Sequence, residues 1–116
     1  MADEPVLIMV TAGGRDDAER LGEGLVVDRL AACCSVVPMV HSFYYEGEIL
    51  KREHEALLLV KTVRSKAPAA VEYIKSHHSY ELPEILELAV DGGSPAYLKW
   101  LVDQVTNQDS DRQAST

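Results

Sequence analysis

His77-His78-Ser79-Tyr80-Glu81-Leu82-Pro83-Glu84-Ile85 is the stretch on which the fold depends: an amphipathic helix stops, the chain turns, and an apolar strand begins. Pro83 disfavours helical backbone at Leu82 and biases it toward extended geometry, so the boundary falls there. Two imidazoles, a phenol and two carboxylates crowd into the turn. Such a density of coordinating and titratable groups at a helix-to-strand junction also makes it the first candidate site.

Working back from the turn, the preceding helix runs from about Ala67, with Ser65 as its cap and Pro68 in its first turn. Ala70, Val71 and Ile74 form its packed stripe, and His78 continues the stripe at i+7 from Val71. His77 points about 100° away, so the two imidazoles chelate one ion only where the helix has unwound. His78 therefore reads two ways, as a core-edge histidine with a hydrogen-bonded ring or as a ligand.

Beyond the turn, Ile85–Val90 reads as a strand closed by Asp91-Gly92-Gly93. Ser94 then caps a helix whose first position is Pro95, and Leu98, Leu101, Val102 and Val105 pack, with Tyr97 and Trp100 beside them. Residues 1–106 read as one domain, and the polar, aperiodic stretch 107–116 as a disordered tail.

The N-terminal half supplies the rest. Pro5–Val10 is an apolar run that suits a central strand, and Thr11-Ala12-Gly13-Gly14 ends it. No Walker pattern or G-x-G-x-x-G surrounds the glycines, so they serve the turn. A helix follows with Gly14 as N-cap, Asp16, Asp17 and Glu19 near its positive end, and Ala18, Leu21 and Leu25 inward, ending near Leu30-Ala31. Cys34–Tyr45 alternates as a long strand in which Pro38 demands an edge, a bulge or a kink. Glu46-Gly47-Glu48 is the hairpin tip, and Ile49-Leu50 extends the strand past it. Ala56–Thr62 is apolar on both faces and suits a buried central strand, except for Lys61, which either snorkels or contacts an anion.

The order is βαββαβ plus a terminal helix. With right-handed crossovers this is the α+β, ferredoxin-like plan, an antiparallel four-stranded sheet with helices on one face. The long middle hairpin projects beyond the sheet, and a symmetric oligomer is the expected cover for its edges.

Composition narrows the function. In 116 residues, 47% hydrophobic and 26% charged content is that of a globular domain with no membrane span. The formal net charge of −8 opposes phosphate backbones and anionic membranes, so neither nucleic acid nor membrane is an expected partner. Met1-Ala2-Asp3-Glu4 lacks a basic leader, which reads as cytoplasmic. Cys33 and Cys34 are adjacent, which rules out a C-x-x-C clip; they read as small buried hydrophobes, or one of them as a soft metal ligand.

Several motifs then resemble the CutA family of divalent-cation tolerance proteins, over about Val6 to Leu101. They are Val10-Thr11-Ala12, Asp28-Arg29-Leu30-Ala31-Ala32-Cys33, Val60-Lys61-Thr62, Tyr97-Leu98-Lys99-Trp100-Leu101 and, most specifically, His78-Ser79-Tyr80-Glu81-Leu82-Pro83-Glu84-Ile85, which is similar to the family's H-P-Y-E-x-P-E-I turn. Two departures stand out. Tyr45 occupies the place of the family's hairpin tryptophan, and Val10 that of a cysteine carried by some members with a copper assignment.

The resemblance implies a compact homotrimer with clefts between subunits and a non-enzymatic role in binding divalent metal, copper above all. On this basis His77 and His78 are the metal candidates for Cu(II) or another divalent ion, and Cys33 is an additional one. Lys61, Tyr80, Glu81 and Glu84 are assigned to an intersubunit cleft. The alternative is a trimeric small-molecule-sensing module, or a docking trimer, using that cleft. No organic cofactor is expected, and no nucleophile is placed with a base as an enzyme would need.

Overall fold

The computed structural model describes residues 3–106. Its elements are β1 (Pro5–Ala12), α1 (Arg15–Val27), β2 (Cys33–Glu46), β3 (Ile49–Val63), α2 (Ala67–His77), β4 (Ile85–Ala89) and α3 (Pro95–Thr106). All strand pairs are antiparallel, and the sheet order is β2-β3-β1-β4. β1 and the inner half of β3 are therefore the central strands that their two-sided apolar sequences predict. The expected tail, 107–116, lies outside the described residues.

Alternation assigns the two faces. Val6, Ile8 and Val10 of β1 and Ala56, Leu58 and Val60 of β3 point to one side, where they are buried with Ala18, Leu21 and Leu25 of α1 and Ala70 and Ile74 of α2. The approach of α1 is close: a Cβ at Gly22 would stand 3.1 Å from both the Cys34 Cβ and the Leu58 Cδ1. Leu7, Met9, Leu57 and Leu59 point to the other side. Among the described helices α3 alone covers that side, at one end, where Leu101 and Val105 bury Val63. Thus the two crossover helices share a face as expected, and the added helix starts to cover the other. Leu86 and Leu88 of β4, paired with Met9 and Leu7, stay 54% and 41% exposed on it.

Besides β1, which runs on through Thr11 and Ala12, and β4, which stops at Ala89, boundaries differ from expectation in three places. First, α1 ends at Val27, short of Leu30. Arg29 takes a left-handed φ of 59°, while its N–H reaches the Val26 carbonyl and that of Leu30 the Leu25 carbonyl. This is a Schellman close, and it folds Leu30 back onto the core. Second, Ser65 does not cap α2; its hydroxyl donates to Asp3, and Lys66 takes the cap position without a side-chain bond. Third, β3 runs unbroken from Ile49 to Val63, because pairing with β2 carries the charged residues 51–55 as strand and joins Ile49-Leu50 to the apolar segment from Ala56.

That hairpin is 14 residues on one arm and 15 on the other. Gly47, with φ 62°, starts a two-residue turn of type II′ pattern between the paired Glu46 and Ile49. Near its base Val37 pairs with Leu57 but Val40 with Glu55, so Pro38 and Met39 form a bulge on the edge strand, one of the outcomes its proline demanded. The projection stretches the molecule to 55 × 31 × 22 Å, with a radius of gyration of 15.6 Å. A compact chain of this length would have about 13 Å.

Candidate functional site

The turn between α2 and β4 is held by its own imidazole. His78 leaves the helix at the C-cap with extended backbone. Its Nε2 lies 2.7 Å from the Thr11 carbonyl, and its Nδ1 is 3.0 Å from the Tyr80 backbone N–H. A carbonyl only accepts, so Nε2 carries the hydrogen and Nδ1 accepts from Tyr80. Both nitrogens of His78 are therefore engaged, and the ring pins the end of β1 to the turn. Of the two ways His78 reads in sequence, this is the hydrogen-bonded core-edge histidine.

His77 is different. Its Nδ1 donates to the Tyr73 carbonyl at 2.8 Å, the ring stacks on Tyr73 with centroids 4.0 Å apart, and the residue is exposed. Nε2 makes no protein hydrogen bond among the described residues. The stack rests on α1, since the Tyr73 hydroxyl lies against Gly24 where any Cβ would collide with it.

Beside the turn lies a cavity of about 450 Å³, lined by Thr11, Ser42, Tyr44, Glu55, Tyr80 and Glu84 among others. Glu55, only 8% exposed, accepts a 3.0 Å hydrogen bond from the Tyr80 hydroxyl. Burial, and then this bond to a carboxylate, push the Tyr80 phenol up to about 12. Glu46, Phe43 and Leu82 also line the cavity, so its charged lining groups are all acidic and sit beside phenolic and apolar surface, suited to a polar or cationic guest rather than an anion.

The cleft residues expected from sequence are only partly brought together within one chain. Tyr80 and Glu84 share the cavity, whereas Glu81 is exposed and does not line it. Lys61 stands six residues along β3 from Glu55, about 20 Å away at strand spacing. There its Nζ donates to the Ser35 hydroxyl at 2.8 Å and lies 3.8 Å from the Cys33 sulfur. Cys33 is half-buried on the sparsely covered side of the sheet. Burial, reinforced by the adjacent Cys33, pushes the Cys34 thiol up to about 12, so Cys34 is the inert member of the pair.

Sequence reasoning missed Glu55. It ends a charged run next to an apolar strand, and nothing local marks it for burial; only Tyr80, 25 residues on, gives it a partner. Among the described residues no three or more His, Cys, Asp or Glu side chains gather to hold a metal ion, so a single chain supplies at most part of a coordination sphere. No helix among them is long and apolar enough to cross a membrane.

An antiparallel β2-β3-β1-β4 sheet with two crossover helices packed on one face defines a ferredoxin-like α+β protein. A family model described as CutA1 divalent ion tolerance protein matches residues 6–104, and the chain belongs to that family. It is similar to the Protein CutA homolog of Xenopus laevis, with 41% identity over 96 residues covering 83% of this chain and 64% of that protein. It is also 38% identical over 98 residues to the divalent-cation tolerance protein CutA of Citrobacter koseri, covering 84% and 85%. The chain spans 56% of the length of a further relative, the chloroplastic Protein CutA of Arabidopsis thaliana. The crystal structure of CutA1 from Oryza sativa superposes with a TM-score of 0.86 at 31% identity, covering 90% of this chain and 95% of that one.

Proposed function

We propose that residues 1–106 fold as one unit that assembles into a homotrimer and binds divalent metal, copper above all, in a non-enzymatic, cytoplasmic role in metal tolerance. The observation that carries this reading is the sparsely covered apolar side of the sheet. Leu7, Met9, Leu57, Leu59, Leu86 and Leu88 lie on it beside a projecting hairpin. A single chain rarely leaves such a surface to water, and copies of itself are the economical cover. Association would also bring further donors to a turn where one chain offers a single open imidazole nitrogen, on His77. Family membership supports the divalent cation as the cargo, and two free thiols suit a reducing compartment.

The test is calorimetric titration of chelator-stripped protein with Cu(II), comparing the native sequence with His77→Ala/His78→Ala of the same oligomeric state. Binding clearly weakened in the double variant supports the turn as a metal site. Equal binding by both rejects the turn as the metal site, no copper binding by the native protein rejects the metal reading, and a native protein that sediments as a monomer rejects the trimer. The acidic cavity at Tyr80 favours one alternative, a trimer that senses a polar or cationic small molecule. A thermal-shift screen of amines and polyols, answered by the native protein but not by Glu55→Gln, would favour that reading.

A further inference from the structure

We propose that His41 and His54 form a separate, two-imidazole binding site for a late first-row divalent cation, mid-way along the projecting hairpin. The two residues are direct partners in the β2–β3 ladder. Both are exposed, and their ring centroids are 4.5 Å apart with 32° between the ring planes. The chain contains four histidines. Among the described residues the rings of His77 and His78 are tied to protein carbonyls or N–H groups, whereas those of His41 and His54 make no protein hydrogen bond. Neither nitrogen of either ring is therefore committed to the protein.

The bulge creates this juxtaposition. Continued past Val37 in its original register, the ladder would set His41 against Glu53 and His54 against Val40. The extra residue at Pro38-Met39 shifts the pairing by one and brings the imidazoles face to face. Facing cross-strand side chains have Cβ atoms about 5 Å apart. Two ring nitrogens each about 2 Å from one ion need be only about 3 Å from each other in adjacent coordination positions, a separation within reach of paired rings whose centroids are 4.5 Å apart. Imidazole nitrogen selects Cu(II), Zn(II) and Ni(II) over the hard ions Ca(II) and Mg(II).

The surroundings permit a cation. Arg52, two residues from His54 on the same side of the strand, is drawn over the Phe43 ring with its guanidinium carbon 5.3 Å from the centroid. Glu53 and Glu55, next to His54 in sequence, point to the opposite face of the strand, and the whole chain carries a formal charge of −8. With two protein donors, the remaining positions fall to water, so the ion exchanges readily. This site does not rest on the one proposed at the α2–β4 turn.

The histidine count makes the test clean. In tag-free His77→Ala/His78→Ala protein the only imidazoles left are His41 and His54. Titrated with Cu(II) and read by electron paramagnetic resonance, this variant should show copper bound by two imidazole nitrogens. His41→Gln or His54→Gln added to it should remove the two-nitrogen signature and weaken binding about tenfold or more, equivalent to about 1.4 kcal/mol. Sedimentation and circular dichroism identical to native would show that the hairpin and assembly persist in each variant. A double variant without imidazole-bound copper, or a two-nitrogen signal that survives either glutamine, overturns the proposal. Failure of the turn site would appear instead as equal copper binding by native and His77→Ala/His78→Ala protein.

Discussion

Arg29 holds a backbone conformation, φ 59°, that costs an ordinary L-residue about 1–2 kcal/mol, and glycine occupies it freely. Glycine gives back part of that gain through its unfolded-state entropy, so Arg29→Gly should stabilise the fold by about 0.5–1 kcal/mol, read as a higher urea midpoint at unchanged slope. A lower midpoint would mean that the arginine side chain contributes more than its backbone costs. Tyr80→Phe works in the opposite direction. It leaves the nearly buried Glu55 carboxylate without its donor, at a cost of about 2 kcal/mol. The same pair sets an alkaline limit. Folding raises the Tyr80 phenol from its ordinary 10.0 to about 12, so its contribution is whole below pH 10 and is lost as the pH rises from 10 toward 12. Native protein should lose stability across that window more steeply than Tyr80→Phe, and equal slopes would rule the phenol out. These residues show what sequence reveals at this scale. The helical stripe set the His78 ring inward, yet the helix ends at His77 and His78 is extended; its ring is held by the carbonyl of Thr11, 67 positions away, and no local pattern encodes that pairing.

At the scale of elements, periodicity located α1, α2 and the inner strands β1 and β3 because each buries a regular apolar set, whereas β4, mostly exposed, was marked by the turn signals on either side of it. Periodicity faltered where burial does not decide the structure. Lys51-Arg52-Glu53-His54 has no apolar alternation to mark a strand, and it is extended because the hairpin turn and the ladder from β2 hold it so. For the same reason His41 and His54 are not legible as a pair: their opposition depends on a one-residue bulge whose register no alternation announces. The dependence on the turn can be measured. A Cβ at Gly47 would meet nothing within 4 Å, so Gly47→Ala isolates the cost of its φ of 62°. It should destabilise the protein by about 1 kcal/mol in chemical denaturation, while Gly47→Asn, which tolerates that region better, should cost less. Equal stability of all three would mean that the hairpin tip is not held to this turn.

At the scale of the whole molecule the sheet is asymmetric, with one face packed by two helices and the other mostly open among the described residues. Leu88 tests that asymmetry, since it is 41% exposed on the open side and pairs with Leu7 of β1. In an isolated chain Leu88→Asp replaces a half-exposed side chain and should cost little. In the proposed trimer it would bury a charge at each contact. We expect Leu88→Asp to sediment as a smaller species with native-like circular dichroism, and to unfold at lower temperature as association ceases to stabilise it. A native-sized variant would place the interface elsewhere.

The sheet order also has a consequence for how the protein is made. Of the four strands of the sheet β1 is synthesised first, yet it lies between β3 and β4, whose pairing residues extend from 56 to 63 and from 85 to 89. At about 5–20 residues per second, Val6 to Val10 must wait several seconds for the first flank and longer for the second. During translation the apolar β1 therefore stays without its sheet partners the longest, and slowing synthesis after residue 63 should favour its pairing with β3 before β4 arrives.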